Sequence, residues 1–340
     1  MPYRRILLNV FFLLPAWVIR IFVWKKDIYI RGQVLDFKSS LLIAMTPSSL
    51  LTKVEFADDL RVAINEARIA SPVSLKPKKK VKTLDHKLLS EDTSILLREY
   101  EPDRISTKKV ILYFHGGGYV IGDVMTHDRW VSTMANILEA KVFSLNYRLA
   151  PENKFPKALD DSCLAMEWLN NLGYETRDIS LCGDSAGAHL AAATSNHLAL
   201  CNKPMPSSQC LIYPMTDPSC SSQSYELFGD GYFLTNDTMV WFWDQLKASN
   251  ENNEDIRFNL SKFPNNLENP KTLVITAGFD PLSDEGEEYA ALLNKAGVDI
   301  ENIHYPNMFH GFVNMTKLKA AKNAAEDFLK DYKKILCANY

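Results

Sequence analysis

The chain has 340 residues, 46% of them hydrophobic and 23% charged, which supplies core material for one large domain with an insertion, or for two domains. Its formal net charge of -3 gives no electrostatic case for a nucleic-acid partner. The six cysteines, Cys163, Cys182, Cys201, Cys210, Cys220 and Cys337, show no C-x-x-C spacing; this argues against a zinc or dithiol site and points to free thiols in a reducing, cytoplasmic compartment.

The N-terminal stretch from Ile6 to Ile19 is uncharged and apolar, with Arg4 and Arg5 before it and Arg20 after it. A run this short is more often a core helix, an interfacial segment or a signal region than a spanning helix, and no small-residue cleavage site follows closely. It reads as a helix packed on the protein or lying on a membrane surface, with Lys25-Lys26 as a basic flank; a cleaved signal or a single anchor is the second reading. Residues 1 to about 55 are expected to be mostly helical, punctuated by Pro15 and Gly32. Glu55 to Ile69 has the pattern of another amphipathic helix. Ser71 to Lys82, with Pro72, Pro77 and the Lys78-Lys79-Lys80 run, reads as a solvated linker. Val81 to Ser90 and Ser94 to Tyr100 are candidate strands about a turn at Glu91-Asp92, an antiparallel start to a sheet.

From Val110 the periodicity changes. Short continuous apolar strands are expected at Val110–Phe114, Lys141–Tyr147, Ile179–Cys182, Gln209–Tyr213, Thr272–Thr276 and Ile300–Tyr305. Helices are expected at Asp128–Leu138, Pro156–Leu172, Ser283–Lys295 and Met315–Leu336. Such alternation means a mainly parallel sheet covered by helices on both faces. Thr216 to Asn250 breaks the rhythm. It is rich in serine and aromatics, among them Phe228, Phe233, Trp241, Phe242 and Trp243, and its length suggests a lid or insertion.

Three pieces of this pattern carry chemistry. The first is Gly183-Asp184-Ser185-Ala186-Gly187, between an apolar strand and a small-residue helix. A serine that attacks a carbonyl must stand on a tight turn, and glycines at Gly183 and Gly187 remove the side chains that would collide there. The helix that follows aims backbone N–H groups and its positive end at the same place. The second is His115-Gly116-Gly117-Gly118, directly after the Val110–Phe114 strand, whose glycines allow N–H groups to approach a substrate oxygen. With the residue after the serine, the expected oxyanion donors are Gly116, Gly117 and Ala186. The third is Asp280, after the Thr272–Thr276 strand, and His310, after the last strand; Asp284 and Glu285 compete with Asp280 but sit in the first turn of a helix, where acids are common. The order Ser185, Asp280, His310 matches that of α/β-hydrolases. Histidine suits a group that takes a proton and returns it near neutral pH. Asp184 is read as support for the elbow and the HGGG loop. His86, His127, His189, His197 and His304 show no metal-binding spacing, so no metal site is expected.

Together these motifs resemble the hormone-sensitive-lipase-like esterases of the α/β-hydrolase superfamily. The resemblance rests on His115-Gly-Gly-Gly-Tyr119, Tyr147-Arg-Leu-Ala-Pro-Glu152, Gly183-Asp-Ser-Ala-Gly-Ala188, Tyr213-Pro214, Asp280-Pro-Leu-Ser-Asp-Glu-Gly286 and His310-Gly-Phe312. It implies an α/β-hydrolase fold with Ser185 as nucleophile, His310 as base, Asp280 as its acid partner, and Gly116, Gly117 and Ala186 as the oxyanion hole. It also implies a helical cap, here from residues 1–55 and about 216–255, on a catalytic domain 56–340. The implied activity is hydrolysis of short- to medium-chain carboxylic esters without a cofactor, by an enzyme of a family in which many members form homodimers. A lipase or deacetylase working at a membrane surface on longer or bulkier esters is the alternative, and a non-catalytic small-molecule-binding module on the same fold is the reading that the complete Ser, Asp and His set argues against.

Overall fold

The computed structural model describes residues 10–45, 57–70, 73–89 and 93–338. The start of the apolar N-terminal stretch, Glu55-Phe56, Ser71-Pro72 and the turn at Glu91-Asp92 lie outside the described residues.

Eight strands form one sheet. They are β1 (Val81–Leu89), β2 (Ser94–Pro102), β3 (Val110–Phe114), β4 (Val142–Leu145), β5 (Ile179–Asp184), β6 (Ser208–Ile212), β7 (Lys271–Phe279) and β8 (Ile300–Phe309), in the spatial order β8-β7-β6-β5-β3-β4-β2-β1. β1, β2 and β4 pair antiparallel; the pairings from β4 through β3 to β8 are all parallel. The parallel strands β3 to β6 are buried at every position, which is why they read as continuous apolar runs rather than as alternation. Leu112, Phe114, Leu181 and Leu211 point into one core, with helices α5 (Lys157–Asn171), α6 (Ala186–Leu200) and α9 (Ser283–Lys295) against it. Ile111, Tyr113, Cys182, Cys210 and Ile212 point into the other, under α4 (Val124–Leu138) and α10 (Lys319–Cys337). This is the α/β-hydrolase fold. The six cysteines are free, and Cys182 and Cys210 stand buried at paired positions on β5 and β6.

Several boundaries differ from expectation. The described part of the first 55 residues is not helical throughout. Helices α1 (Ala16–Phe22) and α2 (Phe37–Ala44) flank a small hairpin, Tyr29–Ile30 against Gln33–Val34. Its turn residues Arg31 and Gly32 both have positive φ, 53° and 73°, the two-residue geometry whose twist suits a hairpin. α4 starts at Val124 rather than Asp128, because Asp123 and Thr126 form a capping box there. β7 runs on to Phe279 and β8 to Phe309, since each continues the other's ladder past an irregularity between Tyr305 and Phe309. The closing helix begins at Lys319, after a 3-10 turn at Phe312–Asn314. The aromatic insertion folds as two further helices, α7 (Gln223–Phe228) and α8 (Asn236–Leu246). Helix α3 (Ala57–Ala70) precedes the sheet.

Candidate active site

Four of the singled-out segments leave the sheet at one edge. His115 follows β3, Ser185 follows β5, Asp280 follows β7 and His310 follows β8. All are carboxyl ends of parallel strands, where this architecture gathers reactive groups.

Ser185 has φ 56° and ψ -120°, a strained conformation between β5 and α6. The turn holds because nothing crowds it. A Cβ at Gly187 would stand 2.0 Å from the Phe114 carbonyl oxygen, and one at Gly183 would stand 2.2 Å from the Gly187 carbonyl carbon. Ser185 Oγ lies 3.1 Å from His310 Nε2, and His310 Nδ1 lies 2.8 Å from Asp280 Oδ2. A carboxylate only accepts, so Nδ1 carries the proton and Nε2 is left to accept from the serine hydroxyl. Asp280 is fully buried and its other oxygen accepts the Leu282 N–H at 2.9 Å. Tyr213 packs on the His310 ring at 4.7 Å between centroids. The three side chains thus form a relay along which a proton can leave the serine and an imidazolium can be stabilised. Asp284 and Glu285 stand elsewhere: Asp284 pairs with Arg31, and Glu285 accepts the Thr216 N–H.

The HGGG loop requires one correction. The Gly116 N–H donates to Asp184 Oδ1 at 2.9 Å, so Gly116 is not a free oxyanion donor. Asp184 is a buried hub that also accepts from the Tyr113 hydroxyl, from the Tyr213 hydroxyl at 3.3 Å and from Asn314 Nδ2 at 3.2 Å. Burial opposes its ionisation, but His127, with Nε2 3.7 Å away, and these donors outweigh burial and hold its carboxyl well below the usual range. The N–H groups of Gly117, Gly118 and Ala186 make no hydrogen bond among the described residues. Gly118 has φ 60°, and a Cβ there would stand 2.1 Å from Cγ of Phe242, so helix α8 lays an aromatic ring directly on the loop. His115 stacks on Tyr147 at 4.3 Å, and the Tyr147 hydroxyl donates to the His115 carbonyl at 2.6 Å. Burial, then the nearby His127, pushes the His115 pKa down to about 4, so it is a neutral strut near pH 7.

Sequence reasoning missed Tyr113, His127 and Asn314 as partners of Asp184. The sequence offers no signal for His127, which lacks metal-binding spacing, and none for Asn314 beyond its place one helical turn after His310. It also missed His189, which bridges the Tyr119 hydroxyl at 2.6 Å and the Phe258 carbonyl at 2.8 Å. Among the described residues no group of three His, Cys, Asp or Glu side chains could hold a metal.

Known proteins share this fold. Residues 111–314 match the model of the alpha/beta hydrolase fold family. An ethyl acetate hydrolase of Pseudomonas putida is 35% identical over 227 residues, covering 65% of this chain and 71% of its own. The carboxylic ester hydrolase LipN of Mycobacterium tuberculosis is 29% identical over 328 residues, covering 93% and 87%. The crystal structure of a thermostable esterase from Pseudomonas putida superposes with a TM-score of 0.81 at 27% identity, covering 90% of this chain and 98% of that one. The chain belongs to the α/β-hydrolase fold family, in its hormone-sensitive-lipase-like esterase branch.

Proposed function

We propose that this protein is a serine carboxylesterase that cleaves short- to medium-chain esters through an acyl-enzyme. The observation that supports this best is the Ser185–His310–Asp280 relay, with spacings of 3.1 and 2.8 Å, beside unpartnered N–H groups. Ser185 Oγ attacks the ester carbonyl while its proton passes to His310 Nε2, and Asp280 stabilises the imidazolium. The carbonyl oxygen, now an oxyanion, is met by the N–H groups of Gly117, Gly118 and Ala186, a set shifted by one residue from the expected one because Asp184 holds Gly116. The tetrahedral intermediate collapses, the alkoxide leaves with the proton of His310, and water repeats the sequence on the acyl-enzyme. No step calls for a cofactor.

In this reading the N-terminal segment to about residue 55 and the insertion at about 216–255 cap the site, over a catalytic domain 56–340. Phe242 covers the glycine loop, and Phe233 lies 3.8 Å from where a Cβ at Gly311 would stand. Aromatic walls on both sides of the relay suit an apolar acyl or alkyl chain of limited length. Initial rates on p-nitrophenyl esters from acetate to palmitate test this. Turnover should peak between butanoate and octanoate and fall steeply toward palmitate. A maximum at palmitate would favour the lipase reading, and a folded protein inert on every ester would sink the proposal.

A specific observation favours contact with a lipid surface as well. Leu13, Trp17, Phe22 and Trp24 are 83, 67, 80 and 99% exposed, although Ile19 of the same segment is buried. Lys26 is exposed alongside. Exposed tryptophan with flanking cations suits the interfacial zone of a bilayer, and no helix among the described residues is long and apolar enough to cross one. We therefore propose peripheral membrane contact through this segment. The full-length protein should co-sediment with vesicles containing phosphatidylglycerol, and a Trp17→Ser, Phe22→Ser, Trp24→Ser variant should stay in the supernatant. Equal pelleting of the two would rule the contact out.

A further inference from the structure

The Asp280 side chain is held at two points. His310 Nδ1 donates to its Oδ2 at 2.8 Å, and the Leu282 N–H donates to its Oδ1 at 2.9 Å. That N–H belongs to the trans peptide unit between Pro281 and Leu282, whose carbonyl oxygen points the opposite way in the same plane. The carbonyl is taken as well. It accepts from Ser224 Oγ at 2.6 Å. One rigid plane therefore joins Ser224, on helix α7 of the aromatic insertion, to the carboxylate of the relay.

The direction of each bond is determined. Ser224 Oγ also lies 3.2 Å from the Asp284 backbone nitrogen and 2.9 Å from Ser222 Oγ. A backbone N–H only donates and a carbonyl only accepts. The single Ser224 hydroxyl proton therefore goes to Pro281, and its oxygen accepts from the Asp284 N–H and the Ser222 hydroxyl. Ser224 is itself fixed. It is fully buried, and its own N–H donates to Asp284 Oδ2 at 2.8 Å. Arg31 of the N-terminal hairpin forks the same carboxylate at 2.7 and 3.1 Å and donates to Gln223 Oε1 at 2.7 Å. The Ser224 N–H on Asp284 already docks α7 against α9. The hydroxyl does something further: it sets the rotation of the peptide plane that aims the Leu282 N–H. A donor on the carbonyl also polarises that amide and strengthens its N–H as a donor.

We propose that Ser224 is a positioning residue for the relay, holding Asp280 in line with His310 Nδ1 through the Pro281–Leu282 peptide. It touches neither the substrate nor the reacting atoms. This rests on the serine-esterase reading and deepens it. Steady-state kinetics on p-nitrophenyl butanoate and the low-field proton resonance of His310 Nδ1–H test it in the full-length enzyme. Ser224→Ala should lower kcat about tenfold, the scale of one lost hydrogen bond that aligns a reacting group. KM should stay within about twofold, because no substrate contact is removed. The resonance should move upfield as the hydrogen bond to Asp280 loosens. Asp284→Ala frees Ser224 from the other side at a less buried residue, and should give the same kcat-only loss at about threefold. A folded Ser224→Ala with wild-type kcat, or with a lower kcat but the resonance unmoved, would overturn the proposal and leave Ser224 as an anchor of α7. Should Ser224→Ala not fold, wild-type kcat and resonance in Asp284→Ala would overturn it equally. A folded wild type inert on the ester would overturn this inference together with the reading beneath it, whereas an active wild type without the Ser224 or Asp284 effect would overturn this inference alone.

Discussion

Replacing Ser185 by alanine should reduce ester turnover by about four orders of magnitude or more while leaving the fold intact. The expectation follows from how little else the hydroxyl does. Its hydrogen bond among the described residues is to His310 at 3.1 Å, and the strained backbone at φ 56° is held by the flanking glycines and the Ser185 N–H to the Ile212 carbonyl at 2.9 Å, which alanine retains. Initial rates on p-nitrophenyl butanoate, with thermal unfolding alongside, check both halves. Asp280→Asn should cost about a thousandfold or more, since the amide can present a donor to His310 Nδ1 and disturb its tautomer. Labelling with an alkyl phosphonate gives an independent readout: wild type should carry the adduct on Ser185 and the alanine variant should carry none. A variant that kept a hundredth of wild-type turnover, or that took the label elsewhere, would show that the nucleophile lies at another residue.

The second large effect is expected at a residue that never meets the substrate. Asp184→Ala should cost about 3–5 kcal/mol of stability, because it strands the Gly116 N–H, the Tyr113 and Tyr213 hydroxyls and the Asn314 amide in a buried cavity. It should also lower kcat by about a hundredfold or more, because the glycine loop loses the anchor that aims its next N–H groups. Asp184→Asn, which keeps one acceptor of the same shape, should fall between alanine and wild type on both measures. Denaturant unfolding and steady-state kinetics separate the two contributions. A destabilised alanine variant with wild-type kcat at a temperature where it is folded would show that Asp184 holds the fold but not the oxyanion site.

What could be read from the residue order was whatever local chemistry demands. The elbow glycines are required by a collision within five residues, the HGGG loop by the need for bare backbone, and the parallel sheet by apolar runs with no polar face. That Ser185, Asp280 and His310 would meet was legible too, since each follows a recognisable strand and one architecture brings those strand ends to one edge. The element boundaries were less so. The hairpin at Tyr29–Val34 and the early start of α4 depend on single turn and capping residues that a periodicity count passes over.

Tertiary structure decided what depends on contacts between distant segments. Nothing in the order His115-Gly116-Gly117-Gly118 says which N–H is already taken; that follows from Asp184, 68 residues away, donating no proton of its own and drawing in Gly116. The hub of Tyr113, His127, Tyr213 and Asn314 about that carboxylate and the ring of Phe242 on Gly118 are likewise properties of packing. A backbone pattern specifies which groups a residue could satisfy, but only the folded chain determines which of them are left over for a substrate.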